Sequence, residues 1–160
     1  MKNKILFVIL TMCLFVGCVT PYGKSGMRGG YSDQRLGEDV IRVHFKGNGY
    51  TTHEKVTTYL FYRCAEVTLK NGYDYFEILD KNSDKETFNY ETSGTYNSTT
   101  SVYGGTATTH GTYSPGVSGT ATAYTDSLLI KMRKGKKPSN QNNAFAAREV
   151  IQYLGNEIKK

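Results

Sequence analysis

The chain has no tryptophan, three prolines and three cysteines in 160 residues, and it lacks any apolar run long enough to cross a bilayer. A spanning helix needs roughly 20 apolar residues. Residues 5–16 form an apolar run of twelve, interrupted by Thr11, so the segment reads as an export signal rather than a membrane anchor. No CxxC and no H-x-x-x-H pair occurs, and His44, His53 and His110 are far apart, so nothing spaces ligands for a metal site. The G-x-S-x-G elbow of a hydrolase nucleophile is also missing. Gly47-x-Gly49 offers the start of a dinucleotide loop, but Thr52 stands where the third glycine belongs; the pair reads as a tight turn that uses positive φ. Charge of neither sign is scarce, with 20 basic and 14 acidic residues giving a net +6. Cleavage before Cys18 removes Lys2 and Lys4 and leaves 18 basic residues, a mature charge of +4. That mild excess in an exported chain points to anionic envelope components or proteins, not nucleic acid.

What is present begins with Leu14-Phe15-Val16-Gly17-Cys18, which closes the apolar run on a small residue and a cysteine. The pattern resembles the bacterial lipobox, with Phe15 in place of its usual leucine. It implies a signal peptide over residues 1–17 and lipid on Cys18, the expected attachment to a membrane. Val19 rather than aspartate follows the cysteine, which by resemblance to enterobacterial sorting implies the outer membrane, facing the periplasm. With Cys13 in the cleaved segment and Cys18 acylated, Cys64 has no partner for an intramolecular disulfide and belongs in the core. Residues 18–38, with Pro21 and five glycines, read as a flexible tether.

Residues 39–158 read as one α+β domain. Ile41, Val43 and Phe45 alternate with Arg42, His44 and Lys46, the signature of a half-buried strand. Thr51 and Glu54 form a capping-box pattern that opens a helix to about Lys70, with Val56, Leu60, Cys64 and Val67 on one face and Asn71-Gly72 as its stop. A strand with Phe76 and Ile78 inward follows, so strand, helix and strand predict a parallel βαβ unit. Residues 81–85 read as a turn and residues 86–92 as a returning strand. Residues 93–119, rich in Tyr, Thr, Ser and Gly, read as an arm, either a partly ordered hairpin or a flexible loop. Gly94-Thr95-Tyr96 recurs within it as Gly111-Thr112-Tyr113. A strand over residues 125–134 carries Leu128, Ile130 and Met132, and a last helix over residues 143–157 carries Ala147, Val150, Ile151 and Leu154. Together these predict a two-layer sandwich of order β-α-β-β-β-α, a mixed sheet of about four strands with both helices on one face.

Alternation leaves a second face bearing Arg42, His44, Lys46, Tyr73, Tyr75, Glu77, Leu129, Lys131 and Arg133. Basic groups interleaved with tyrosine rings make it a candidate binding face for an anionic envelope component or envelope protein; the alternative is an ordinary solvated surface. Arg63 and Glu66, three apart on the helix, read as an ion pair, or else as part of an anion site. Finally, Gly30-Tyr31-Ser32 with Leu36, Val43-x-Phe45-x-Gly47-Asn48-Gly49, Tyr62-Arg63-Cys64-Ala65-Glu66, Gly72-Tyr73-x-Tyr75-Phe76 and Ala147-Arg148-Glu149-Val150 resemble a family of small bacterial lipoproteins of unassigned activity. The resemblance implies the anchor and the domain, and no catalytic residue. The expected function is a non-enzymatic interaction or structural module without cofactor or metal. The alternatives are an envelope hydrolase or small-ligand-binding protein with a loop-built site, and a surface adhesin using the Tyr/Thr arm.

Overall fold

The computed structural model describes residues 19–158; the expected signal segment and Cys18 lie outside them. The fold is α+β, in the order β1 (Gly30–Arg35), β2 (Val40–Lys46), α1 (His53–Lys70), β3 (Tyr75–Glu91), β4 (Thr95–Tyr103), β5 (Thr106–Ser114), β6 (Ser118–Arg133), β7 (Ala144–Ala146) and α2 (Ala147–Ile158). Two compact units divide the chain: residues up to Glu86 with those from Thr122 onward, and Thr87–Ala121.

The main sheet has five strands, β1-β2-β6-β3-β7, not about four. β1–β2, β2–β6 and β3–β7 are antiparallel. The adjacent parallel pair expected of a βαβ unit is not formed, because β6 lies between β2 and β3. β3 starts beside the end of β6, where the Asp74 N–H donates to the Arg133 carbonyl at 2.8 Å. The insertion suits Leu128, Ile130 and Met132, all fully buried, whose strand gains most from the central place in the sheet.

Those three side chains join Ile41, Val43 and Phe45 of β2, Val56, Leu60, Cys64 and Val67 of α1, Phe76 of β3 and Ala147 of α2 in one core. The predicted stripe of α1 is buried throughout, and Cys64 within it is shut off from solvent. Burial pushes its thiol pKa up, so it packs as a small apolar group. The N-cap is Thr52, whose hydroxyl accepts from Lys55 N–H at 3.3 Å; the expected capping box of Thr51 and Glu54 is not formed, since the Thr51 hydroxyl is engaged with Thr20 and Asn48 and the residue three after the cap is a lysine. Gly72, at φ 77°, supplies the left-handed stop. Gly47 is not a positive-φ residue as expected; a Cβ there would lie 2.8 Å from Val56 Cγ2, so glycine is needed for close approach to α1.

Several boundaries differ from the sequence reading, and the strand expected over residues 125–134 begins at Ser118, as β6. Residues 81–85 do not turn: β3 runs unbroken from Tyr75 to Glu91, its polar residues exposed from Leu79 onward, which costs little when both faces meet water. α2 begins at Ala147 because residues 144–146 extend the sheet as β7. Its Phe145 stacks on Phe76 at 5.6 Å and meets Phe61 edge-on at 5.2 Å.

In the second unit, β4 and β5 form a two-stranded antiparallel hairpin. The two Gly-Thr-Tyr triplets meet at their tyrosines, with Tyr96 opposite Tyr113. Each ring reaches diagonally over the other triplet's glycine: a Cβ at Gly111 would sit 1.9 Å from Tyr96 Oη, and one at Gly94 2.6 Å from Tyr113 Oη. Tyr90 covers Gly119 in the same way. Rings thus fill the gaps that strand glycines leave, which accounts for the paired Tyr and Gly bias.

Candidate functional site

The stretch expected to be a tether is instead built into the domain. Thr20 is buried, and it is a hydrogen-bonding hub. Its N–H donates to Thr51 Oγ1 at 2.9 Å, and its hydroxyl donates to the Arg28 carbonyl at 2.7 Å and accepts from Asn48 N–H at 2.9 Å. The Thr51 hydroxyl in turn donates to Asn48 Oδ1 at 2.8 Å. Tyr31 N–H donates to the Gly23 carbonyl and Ser25 N–H to the Tyr31 carbonyl, both at 2.8 Å, and a bridge between Gly26 and Gly29 closes a small hairpin with Met27 and Arg28 at its tip. Gly29 and Gly30, at φ 97° and 121°, leave no room for a side chain: a Cβ on Gly29 would stand 2.2 Å from the Lys46 carbonyl. Composition misled here, since these glycines serve close packing rather than flexibility.

Tyr22 completes the attachment. Its ring lies 5.3 Å from Tyr31, 5.5 Å from Tyr59, 5.2 Å from Tyr62 and 6.5 Å from Phe45, and its hydroxyl donates to Glu66 Oε2. Burial, then that carboxylate, push the Tyr22 phenol far above its ordinary range. Arg63 lies over the Tyr31 ring at 3.9 Å, holds Asp33 through Nε at 3.1 Å and Nη2 at 2.6 Å, and reaches Glu66 through Nη1 at 2.9 Å. Each guanidinium nitrogen has a carboxylate partner, so the cluster ties β1 and the N-terminal segment to α1 and presents no open fork to an anion.

Along β2 and β6 the expected binding face keeps its alternation. Arg42 stands opposite Gln34 and Leu129, His44 opposite Ser32 and Ser127, and Lys131 opposite Val40. Three of its charges are partnered: Lys46 with Glu86 at 3.7 Å, Lys131 with Asp39 at 3.8 Å and Arg133 with Glu77 at 3.5 Å. Arg42 Nε is buried without a hydrogen-bond partner. Burial, then the charge of Arg42, lower the pKa of His44. Tyr73 does not belong to this face; it precedes β3 and packs against the core, and Tyr75 is 9% exposed beside β7.

A buried carboxylate not singled out in the sequence lies at one end of the sheet. Asp126 shares the inward parity of Leu128 and Ile130 and has no exposed surface. His53 Nε2 lies 3.0 and 3.1 Å from its oxygens, the Thr57 hydroxyl donates to it at 2.8 Å, and Tyr124 stacks on His53 at 4.9 Å. Both His53 and Thr57 address the carboxylate, so the hydroxyl gives its proton to Asp126 rather than to the imidazole. That is not the nucleophile–base–acid order of a hydrolase. A charge on the apolar face of an alternating strand was the available signal.

Open hollows lie on the described surface. One of about 630 Å³ is lined by Asp74, Tyr75, Lys136, Lys137, Arg148 and Glu149, another of about 490 Å³ by Phe61, Phe145, Val150 and Tyr153 among others. Among the described residues no group of three or more His, Cys, Asp or Glu could hold a metal ion, and no helix is long and apolar enough to cross a membrane. No protein-family model, curated protein or solved structure matches this chain.

Proposed function

We propose that this chain is a lipid-anchored envelope protein, held by acyl groups on Cys18 at a bacterial outer membrane and facing the periplasm. It acts there as a non-enzymatic interaction or structural module, a two-layer sandwich with both helices over one sheet face. The observation that carries the reading is the position of Thr20. Two positions after the cysteine that ends the apolar run, the chain is buried and hydrogen-bonded to Thr51 and Asn48, as suits a domain held close to a cysteine cut and acylated at that point. Each guanidinium nitrogen of Arg63 holds a carboxylate of the chain, and Asp126 is held by His53 and Thr57, which favours scaffolding over catalysis at those clusters. A single acyl chain binds only marginally, at about 0.8 kcal/mol per buried CH₂, so two or three chains are expected. Cell fractionation with detergent phase separation of wild type and Cys18→Ser tests this. The wild type should enter the detergent phase and the variant the aqueous phase; a wild type that stays aqueous rules the reading out.

A second reading is favoured by the arm. Residues 92–125 contain no Lys, Arg, Asp or Glu, and Tyr96, Tyr103 and Tyr113 are exposed, a surface suited to contact outside the cell. Protease treatment of intact cells separates the two: cleavage within the arm supports a surface adhesin, and protection supports the periplasmic module.

A further inference from the structure

We infer that the two loops meeting at Thr20 form a membrane-docking surface, which seats the domain directly on an anionic phospholipid bilayer. The inference rests on lipid being carried by Cys18. Thr20 is two positions from that cysteine, a reach of at most about 7 Å. Thr20 binds both the Arg28 carbonyl and the Asn48 N–H, so the hairpin around Met27 and the loop around Tyr50 flank the attachment point. Membrane and loops are therefore neighbours by covalent necessity.

Their surface suits that neighbour. Met27 is fully exposed, Tyr50 is 71% exposed and Val19 40% exposed. A methionine that touches nothing in its own fold is held at the tip of a backbone fixed by the Gly26–Gly29 bridge and by glycines with no space for a Cβ. Residues 19–32 include Lys24 and Arg28 and no acidic residue, and residues 47–52 of the second loop carry no acidic residue either. Apolar tips between basic groups match the boundary between acyl chains and anionic head groups, where each basic residue adds about fivefold to association. Tyrosine favours the same depth. Docking in this way fixes one end of β2 at the membrane and lifts the β1–β2 turn, at Leu36, away by the length of a seven-residue strand, roughly 20 Å.

The test uses the mature lipidated chain with one introduced cysteine, Met27→Cys, Tyr50→Cys or Leu36→Cys, carrying an environment-sensitive dye. Cys64 is fully buried and Cys18 acylated, so only the new thiol reacts. Each protein is reconstituted on vesicles of phosphatidylethanolamine and phosphatidylglycerol containing a lipid-borne quencher. Docking predicts that dyes at 27 and 50 lose most of their fluorescence and that the dye at 36 keeps it. Chain recovered with vesicles but unquenched at both 27 and 50 overturns docking and leaves the anchor intact. Equal quenching at all three positions overturns a fixed orientation, and chain that fails to co-sediment overturns anchor and docking together. Quenching that persists in phosphatidylcholine vesicles after Lys24→Glu removes charge from the inference.

Discussion

Thr20 shows how much one buried hydroxyl can decide. Its neighbours are two backbone groups and another threonine, so replacing it with valine keeps the volume but removes one hydrogen bond each from the Asn48 N–H and the Arg28 carbonyl. Thr20→Val should cost about 1–3 kcal/mol in urea unfolding and raise amide exchange over residues 20–31, whereas a surface threonine would cost under about 0.5 kcal/mol. His44 supplies a pH dependence of definite sign. Its folded pKa lies below the ordinary 6.5, so as pH falls through that value the unfolded chain takes up a proton that the folded chain resists. Stability is then unaffected by His44 above about pH 6.5 and declines below it; in His44→Gln the decline measured by thermal melting between pH 7 and 5 should be shallower. Neither role was visible in the sequence in the same degree. His44 follows from strand parity, but Thr20 sits in a glycine-rich stretch whose composition argues for disorder, and its partners are 8, 28 and 31 residues away.

Single elements were legible where period and burial agreed. The α1 stripe and the inward residues of β2 and β6 follow from spacing alone, because each element buries one face. What spacing cannot encode is which strands become neighbours: β6 enters between β2 and β3 through a pairing of residues 40–46 with 125–131. Nor does polarity reveal that residues 81–85 stay extended, since a strand with both faces in water carries no alternation. The Gly-Thr-Tyr echo, which composition alone leaves as bias, becomes a mutual cover of rings over glycines. Gly111→Ala should displace the Tyr96 ring and abolish slow exchange in β4 and β5. Replacing residues 93–119 with a short turn should leave the melting of the main unit unchanged or slightly raised, because loop length contributes only about 0.6 kcal/mol per doubling. Loss of the folded main unit on that replacement would mean that the arm helps hold the main sheet.

For the whole molecule, the N-terminal segment is part of the fold rather than a leash. Tyr22 and Arg63 illustrate this, one ring and one guanidinium joining the segment after Cys18, β1 and α1. Arg63→Lys keeps the charge but loses the fork on Asp33 and the stacking on Tyr31, and should lower stability by about 1–2 kcal/mol in denaturant titration. On the proposed acylation of Cys18, a domain that buries Thr20 two positions further on has little freedom to wander, and partners would meet it at the bilayer surface. That picture depends on acylation of Cys18, and the intact mass of the mature protein purified from envelope membranes tests it most directly. The account predicts a chain beginning at Cys18, heavier than its amino acids by two or three fatty acyl groups, with the added mass on its first residue. A mature chain that retains residues 1–17, or begins at Cys18 with no added mass, would contradict it.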